Sequence, residues 1–483
     1  MREAQRVAQV ETRQLGGGWI ETLLAGRDRE TALWLDGPIT RADLRDQVAA
    51  RAAELAAAGL QPGGTLSLRL PPSQTFIVNL LAGWQAGAQV SLLDHRLTTH
   101  EVERAIERVA PQLLVSAPDA TVSPLRGYTA ATAVTSPVEG GKPAQTGHAL
   151  LQLSSGSTGP SKVIGRTSSD LLTELDRYAQ IEGTPQAGER VVLLASMVHV
   201  LGLVGGLLYG LRTGVQLVVP KLVSPDGVAA AVAAGDEPTT VLGVPFHIQL
   251  LAAVSPDVKL PQLKRMTVGG ELVRPAVWRA FTDRHQVPLG NMYGMTEVGV
   301  IATDLFGEHR PALMPAPGMR LRESDGQLAV ATTASPYVGL SDPTRWVDGW
   351  LYTRDAGTVD PQTGVVTVLG RLDSQVSVGG LKVDLTEVEQ TLAELPGVAE
   401  VVVAHDGAIE AFVAFHEDSA PEVEAGFREQ IVARLAPYKR PRRVSVLPKL
   451  PRTATGKLVR NVGALREARE KSRALERSAA DVT

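Results

Sequence analysis

Apolar and polar residues follow two repeating patterns along this chain, one typical of helices and one of strands. Between Thr40 and about Leu60, the stretch TRADLRDQVAARAAELAAAGL predicts a helix that ends at Gly59, and LSLRLP predicts the strand that follows. Helices such as SQTFIVNLLAGWQAGAQ, LGLVGGLLYGLRTG and FHIQLLAAV then alternate with apolar runs such as VSLLD, RVVLLAS, VQLVVP and TTVLGVP. Because strands that alternate with helices form parallel sheets covered by those helices, this region predicts a mostly parallel, covered sheet.

The pattern changes after about Gly318. The short runs GQLAVAT, GWLYTRDAG and GVVTVLGR, broken by glycine and proline, predict a small β-rich subdomain. An amphipathic helix, LTEVEQTLAELPGV, two strands, AEVVVAH and EAFVAFH, and a second helix, EAGFREQIVARLAP, then predict a compact α+β domain. We therefore predict an α/β fold, in which residues 1–371 form a large domain of mostly parallel sheets plus the small β subdomain, and residues 372–483 form a small α+β domain.

Composition narrows the classes of function. The 483 residues include no cysteine, which excludes disulfide frameworks, thiolate metal sites and cysteine nucleophiles. A formal net charge of −4 gives no overall attraction to nucleic acid or to a membrane surface. The N-terminus does not have the pattern of a signal peptide, and no run reaches the roughly 18 apolar residues that a membrane span needs. We expect a cytoplasmic protein with neither nucleic acid nor a membrane as partner.

A loop rich in hydroxyl groups, QLSSGSTGPSK, runs from Gln152 to Lys162. A flexible linker and a serine-rich surface loop are two interpretations of this composition. The loop lies where a strand gives way to a helix, and this context favours a cradle of backbone N–H and hydroxyl donors for phosphate. It does not match the phosphate loop of NTPases, because only two residues separate Gly156 from Gly159, and Val163 follows the lysine.

Four further motifs follow in order: NMYGMTE from Asn291, LYTRDAG from Leu351, GRLDSQVSVGGLKVDLTEVE from Gly370, and PRTATGK from Pro451. Together with the loop, they resemble the motifs of the adenylate-forming superfamily, which contains acyl- and aryl-CoA ligases, adenylation domains of peptide synthetases, and beetle luciferases. The resemblance covers almost the whole chain and is closest to the stand-alone acid ligases. It implies an ATP- and Mg²⁺-dependent acid–thiol ligase that forms an acyl- or aryl-adenylate, releases pyrophosphate, and transfers the acyl group to coenzyme A or to a carrier protein.

The resemblance also implies where ATP or AMP binds. Tyr293 would lie against the adenine, Thr296 would bind the α-phosphate, and Glu297 would hold Mg²⁺. Asp355 would accept hydrogen bonds from both ribose hydroxyls, and Arg371 would add a donor to the ribose. The full set of implied nucleotide-binding residues is Ser154, Ser155, Gly156, Ser157, Thr158, Gly159, Lys162, Gly270, Glu271, Asn291, Met292, Tyr293, Gly294, Thr296, Asp355, Arg371 and Lys457.

The small domain would be mobile in such an enzyme. By resemblance, Lys457 bridges the substrate carboxylate and the nucleotide during adenylation and then moves away, with Asp373 as the hinge. Gly379 and Gly380 would then line the channel for the pantetheine thiol. The implied catalytic residues are Lys457, Thr296, Glu297 and His199.

The implied acid pocket comprises His199, Val200, Phe246, Gly269 and Gly270. The run ASMVHVLGLVGGLLYGL that would line it contains no acidic residue, so the ammonium group of an amino acid would be buried unpaired at a cost of roughly several kcal/mol. An amino-acid-activating enzyme is therefore disfavoured but remains an alternative, as does a non-catalytic sensor of adenylates. Aryl and aliphatic acids both stay open, as do the choice of acceptor and a monomeric or homodimeric state.

Two further features qualify the resemblance. Ser161 and Val163 flank Lys162, and Ser374 and Ser377 follow the hinge, where the superfamily commonly has other residues. Between residues 437 and 460, eight basic residues occur without an acidic one. This run is either a solvated basic face or a docking surface for the phosphates of coenzyme A or an acidic carrier protein.

Overall fold

The structure is a computed structural model that describes residues 16–120, 127–154, 162–270, 273, 275–339, 342–372, 374–416, 419, 421–451 and 458–480. The described residues divide into two units. The first consists mainly of the segments 16–95, 105–154 and 163–372, and the second consists mainly of the residues after 373 together with 96–104.

Twelve α-helices lie in the described parts of the chain. They are α1 (Trp19–Leu23), α2 (Arg41–Ala57), α3 (Gln74–Gln85), α4 (Thr99–Val109), α5 (Ser168–Ala179), α6 (Tyr209–Thr213), α7 (Pro225–Ala233), α8 (Pro245–Ala252), α9 (Pro275–His285), α10 (Leu385–Ala393), α11 (Pro421–Arg434) and α12 (Val462–Ala480). A π-helix (Leu201–Leu208) leads directly into α6, and a short 3₁₀ helix spans Pro437–Lys439. None of the helices in these parts of the chain is long and apolar enough to cross a membrane.

The strands of the first unit are β1 (Thr31–Trp34), β2 (Pro38–Thr40), β3 (Thr65–Arg69), β4 (Gln89–Leu92), β5 (Leu113–Ser116), β6 (Val134–Pro137), β7 (Leu150–Ser154), β8 (Lys162–Arg166), β9 (Arg190–Leu193), β10 (Gln216–Val218), β11 (Thr239–Gly243), β12 (Leu263–Gly269), β13 (Leu289–Met295), β14 (Gly299–Asp304), β15 (Ala312–Pro315), β16 (Leu321–Ser324), β17 (Gln327–Ala331), β18 (Trp346–Val347), β19 (Trp350–Val359) and β20 (Val366–Arg371). Those of the second are β21 (Gln375–Val378), β22 (Leu381–Asp384), β23 (Val398–His405), β24 (Ile409–Phe415) and β25 (Arg443–Val446).

Several helices begin at a residue whose side chain caps the first turn. At the start of α2, Thr40 Oγ1 accepts a hydrogen bond from the Asp43 N–H at 3.1 Å, and the Asp43 carboxylate accepts one from the Thr40 N–H at 3.3 Å. Leu44, Val48 and Leu55 lie on one face of this helix and are buried. The helix predicted between Thr40 and Leu60 is therefore confirmed.

Two sheets form the first unit. The smaller has the strand order β6-β5-β3-β4-β7-β8, and β5, β3, β4 and β7 run parallel. In the larger sheet, β13, β12, β11, β9, β10 and β1 are parallel neighbours. Beyond β13, the order β14-β15-β20-β19-β17-β16 continues with antiparallel pairs. The predicted small β subdomain is this antiparallel extension, which continues the large sheet because β14 pairs with both β13 and β15.

The helix predicted over LGLVGGLLYGLRTG begins as a π-helix, a departure from the prediction. Glycines let this segment approach its neighbours closely: a Cβ atom at Gly205 would lie 2.5 Å from the hydroxyl of Tyr178. Wider π-type turns occur often at functional sites. This one begins directly after His199 and Val200, which belong to the predicted acid pocket.

The second unit is α+β, as predicted. Strands β23, β24 and β25 form one sheet, and β21 and β22 form a hairpin. Gly379 and Gly380 connect the hairpin strands with φ angles of +57° and +81°. Two consecutive residues at positive φ are typical of a tight hairpin turn and favour glycine.

Candidate active site

Predicted site residues follow four neighbouring parallel strands of the large sheet. His199 lies in the segment after β9, Phe246 follows β11, Gly270 follows β12, and Thr296 and Glu297 follow β13. The carboxyl ends of parallel strands meet at one edge of a sheet, where α/β proteins bind their ligands. The fold therefore brings the predicted acid pocket and part of the predicted nucleotide site to the same edge.

Tyr293, Asp355 and Arg371 form one hydrogen-bonded cluster. Tyr293 Oη donates to Asp355 Oδ2 at 2.7 Å, and Arg371 Nη1 donates to Asp355 Oδ1 at 3.0 Å. The Thr353 hydroxyl accepts a hydrogen bond from the Asp355 N–H at 3.0 Å, and Arg371 Nη1 also donates to the Thr353 carbonyl at 3.3 Å. Three residues taken from separate motifs are thus in direct contact.

Strand pairing sets this cluster, because Asp355 and Arg371 lie opposite each other on β19 and β20. Burial, followed by the charge of Asp355, raises the pKa of Tyr293 well above its ordinary value, so the phenol stays protonated and donates. Each oxygen of Asp355 accepts one of these side-chain bonds and has a further lone pair. The carboxylate therefore has acceptor capacity for a diol such as a ribose.

Glu297 is a buried carboxylate, 8% exposed, in the turn between β13 and β14. Tyr337 Oη donates to Glu297 Oε1 at 3.0 Å, and Arg345 Nη2 lies 3.5 Å from the same oxygen. Burial and the charge of Glu297 raise the pKa of Tyr337, so its phenol stays protonated and donates to Glu297. Sequence analysis did not find Tyr337 or Arg345, because no local pattern marks a residue that reaches Glu297 from a distant segment.

The residues around Glu297 fit one kind of metal site. Among the described residues, no group of three or more His, Asp or Glu side chains is arranged to hold a metal ion. Mg²⁺ is commonly bound by one or two carboxylates together with the phosphates of a substrate and water. A single carboxylate such as Glu297 fits a metal that arrives with a nucleotide, and it does not fit an independent metal centre.

Strand β8, which follows the predicted phosphate loop, pairs with the segment that carries Tyr337. The Gly165 N–H donates to the Pro336 carbonyl, and the Val338 N–H donates to the Val163 carbonyl, both at 2.9 Å. The hydroxyl of Tyr337 in turn holds Glu297. Hydrogen bonds therefore link the strand that leaves the loop to the predicted metal ligand.

A second link runs through a buried ion pair. Arg166, the last residue of β8, donates to Glu174 Oε2 at 2.8 Å, and Glu174 Oε1 accepts from the Val300 N–H at 3.1 Å. Gly299, at a φ of +79°, leaves room for this carboxylate, because a Cβ atom there would lie 2.0 Å from Glu174 Cδ. Glu174 therefore braces the end of the turn that carries Thr296 and Glu297.

Replacing Glu174 by glutamine is expected to lower the free energy of unfolding by about 3 kcal/mol, because it leaves the charge of Arg166 buried and unpaired. The amide group of glutamine also presents an N–H donor to Arg166, which should shift the turn that carries Thr296 and Glu297. KM for ATP should therefore rise about fivefold. Denaturant unfolding and steady-state kinetics measure the two effects. Glu410→Gln, which alters another buried glutamate paired with arginines, is the matched control. An equal rise in KM in both variants would refute the bracing role.

The residues predicted for the acid pocket are mostly small or apolar. Gly269 lies opposite Met292 in the pairing of β12 with β13, and a Cβ atom there would lie 2.9 Å from the Met292 carbonyl. Phe246 is 47% exposed, and its ring packs edge-on against His247 with centroids 5.6 Å apart. Gln152 Nε2 donates to the Val198 carbonyl at 2.7 Å, which fixes the backbone before His199. Small and apolar residues at these predicted positions would suit a flat or thin acid.

His247 is held in one neutral form. Its Nδ1 accepts a hydrogen bond from the Val244 N–H at 3.1 Å, so the ring proton is on Nε2. Burial lowers the pKa of His247 to about 4. At neutral pH this side chain therefore contributes an uncharged donor beside Phe246.

This pKa predicts a sensitivity to acid. The unfolded chain binds a proton at His247 below about pH 6.5, whereas the folded protein does so only near pH 4. The free energy of unfolding should therefore fall as the pH drops through this window, by about 2 kcal/mol between pH 7 and pH 5. His247→Asn keeps an acceptor for the Val244 N–H but does not titrate, so denaturation of this variant should show a loss smaller by that amount. Equal losses in the two proteins would contradict the prediction.

Other predicted residues are placed as follows. Ser154 ends β7, and Lys162 begins β8. Asn291, Met292, Tyr293 and Gly294 lie on β13, with Asn291 opposite Asp304 on β14. Gly270 has a φ of +90° and open space at its Cβ position. Ser155, Gly156, Ser157, Thr158, Gly159, Glu271, Asp373 and Lys457 lie outside the described residues, and all the site assignments remain predictions.

Three cations of the basic run in the second unit pair with carboxylates. Lys439 lies between Glu101 and Glu387 at 2.9 and 3.0 Å, and Arg460 pairs with Glu389 at 2.7 Å. Arg443 lies 3.4 Å from Glu410. Carboxylates from outside the run thus pair with several of its cations, which weakens its interpretation as a docking surface for phosphates.

Comparison with known proteins identifies the family. The family model described as AMP-binding enzyme matches residues 22–329, and that of the AMP-binding enzyme C-terminal domain matches residues 387–457. The chain belongs to the AMP-binding enzyme family. The predicted superfamily and the predicted class of reaction, ATP-dependent activation of a carboxylic acid followed by transfer to a thiol, are confirmed.

The chain is similar to individual members of this family and to solved structures. The chain is 27% identical to a p-hydroxybenzoic acid–AMP ligase of Mycobacterium marinum over 91% of its own length and 68% of the relative's. It is 30% identical, over 41% of its length and 39% of the relative's, to an L-allo-isoleucine:holo-[peptidyl-carrier protein] ligase of Pseudomonas savastanoi pv. glycinea. The o-succinylbenzoate CoA synthetase of Bacillus subtilis shares the fold with a TM-score of 0.77 and 23% identity, over 93% of this chain and 98% of that chain. The predicted fold class is confirmed.

Proposed function

We propose that this enzyme activates an aromatic carboxylic acid as its adenylate and transfers the acyl group to a pantetheine thiol. The observation that carries the choice of an aromatic acid is the similarity to a p-hydroxybenzoic acid–AMP ligase along 91% of the chain. The residues predicted for the pocket support it, because Gly269 allows close approach of the Met292 carbonyl, and His247, whose ring packs against Phe246, is neutral.

Adenylation joins two anions, since a carboxylate oxygen attacks the α-phosphorus of ATP and pyrophosphate leaves. The protein must therefore hold both anions and stabilise the charge at phosphorus. We propose that Asp355 and Arg371 bind the ribose, that Thr296 binds the α-phosphate, and that the loop from Ser154 to Lys162 holds the leaving pyrophosphate. When bound at Glu297, Mg²⁺ would neutralise phosphate charge.

The two predicted domains would divide this work. We propose that residues 1–371 bind ATP and the acid, and that residues 372–483 supply Lys457, a compact cation for the substrate carboxylate. Asp373 would be the hinge, and the turn at Gly379 and Gly380 would allow close approach of the pantetheine arm. We further propose that the enzyme acts in the cytoplasm, as a monomer or a homodimer, with coenzyme A or a carrier protein as acceptor.

A second candidate function is activation of an amino acid. The similarity to an amino-acid ligase, which covers 41% of the chain, favours it. Residues 194–219, which follow β9 and include the π-helix, contain no aspartate or glutamate that could pair with an α-ammonium. An amino acid would therefore be bound with its charge unpaired.

Exchange of labelled pyrophosphate into ATP tests the proposal. The panel contains 4-hydroxybenzoate, benzoate, cinnamate, octanoate and a set of amino acids. We expect the fastest exchange with an aryl acid. When Mg²⁺ is omitted from the reaction, almost no exchange should occur. Exchange only with octanoate or an amino acid would reject the aromatic substrate, and exchange with no member of the panel would count against adenylation.

A further inference from the structure

The two partners of Glu297 lie outside every motif on which the proposed function rests. Tyr337 belongs to the segment paired with β8, and Arg345 precedes β18. Arg345 is nine-tenths buried, and its guanidinium lies 5.8 Å from the centre of the Tyr337 ring. A buried cation therefore faces the carboxylate that is proposed to bind a metal.

Arg345 and a bound divalent cation would both compensate the charge of Glu297. A carboxylate as buried as Glu297 needs a positive charge beside it, and Arg345 provides one at 3.5 Å. A divalent cation bound to Glu297 would serve the same need and would repel the guanidinium. Arg345 Nε has no hydrogen-bond partner among the described atoms, so fewer bonds hold this side chain in place.

We propose that Arg345 is the resting counter-ion of Glu297, a positioning residue whose charge competes with Mg²⁺ and so sets how strongly nucleotide binding depends on the metal. The proposal rests on the proposed function, in which Glu297 is the metal ligand. The alternative is a purely structural ion pair that holds the segment before β18. The counter-ion role and the structural role predict different effects of substitution on one quantity. This quantity is the ratio of the dissociation constants of a nucleotide without and with Mg²⁺.

Calorimetric titration of the full chain with α,β-methylene-ATP, which cannot release pyrophosphate, measures this ratio in Mg²⁺ and in EDTA. Arg345→Met removes the competing charge, and the ratio should rise at least about fivefold above that of the wild type. Arg345→Lys keeps the charge and should stay within about twofold of the wild type. Arg345→Gln, which can still hydrogen-bond, should behave like the methionine variant and replaces it if that protein does not fold.

Two controls separate the possible outcomes. Glu297→Gln should bring the ratio close to one, and a ratio equal to that of the wild type would overturn both the metal assignment and the present proposal. If Glu297→Gln lowers the ratio but neither neutral variant at position 345 raises it, the proposed function stands and the counter-ion role is overturned. Tyr337→Phe, which removes a neutral donor from the same oxygen, should change the ratio by less than about twofold, and a rise equal to that of Arg345→Met would also overturn the role of charge.

Discussion

Replacing Lys457 by alanine is expected to slow adenylate formation by about a thousandfold, while transfer from a supplied acyl-adenylate to the thiol stays within about threefold of the wild type. The first half-reaction brings two anions together, and removal of one well-placed donor typically costs a factor of about 10²–10³. The second half-reaction uses an adenylate that is already formed, so it has no need of this cation. Pyrophosphate exchange and single-turnover thioester formation measure the two steps separately.

Lys449→Ala is the matched control for this prediction. It removes a lysine from the same basic run, at an exposed position, and should leave both half-reactions unchanged. Equal losses in the two half-reactions of Lys457→Ala would contradict the assignment of the lysine to adenylation alone. They would point instead to a general loss of structure in the second unit.

Replacing Asp355 by asparagine is expected to raise KM for ATP by about a hundredfold. The amide nitrogen cannot accept a hydrogen bond, so one of the two acceptor positions offered to the ribose is lost. Arg371 and Tyr293 both donate to the present carboxylate, and one of them would then face a donor. Charge-assisted hydrogen bonds contribute about 1.5–3 kcal/mol each, which is enough for the expected change. Steady-state kinetics at saturating acid measures it.

Asp304→Asn separates this effect from a loss of stability. Asp304 is also a buried carboxylate of the same sheet, but it accepts hydrogen bonds from the backbone N–H groups of Gly307, Glu308 and His309. Its replacement should lower the free energy of unfolding without raising KM for ATP. If Asp304→Asn raised KM as much as Asp355→Asn does, the nucleotide-binding role of Asp355 would be wrong.

Local pattern and motif order predicted the parts of the molecule that depend on neighbouring residues. The helix after Thr40 follows from its cap and its apolar face, and the alternation of strands and helices is enough for a parallel sheet. The motifs also predicted a shared role for Asp355 and Arg371 at the ribose, and the structure places the two residues opposite each other on adjacent strands.

Contacts between distant segments could not be predicted in this way. Arg345 lies in an ordinary turn, and only the fold places it against Glu297. Glu174 appears in the sequence as a polar position on an amphipathic helix, yet it is buried against Arg166 and the Val300 N–H. The π-helix after Val200 places Gly205 against Tyr178, a contact between distant segments that periodicity does not reveal.

The nucleotide product formed in the presence of acid and thiol tests the central claim most directly. Chromatography of reactions with ATP, Mg²⁺, an aryl acid and coenzyme A or a phosphopantetheinyl carrier protein should show AMP and pyrophosphate in amounts equal to the thioester. No nucleotide turnover should occur when the acid is omitted. Formation of ADP and phosphate would contradict adenylation, and binding of AMP without any turnover would identify a sensor in place of an enzyme.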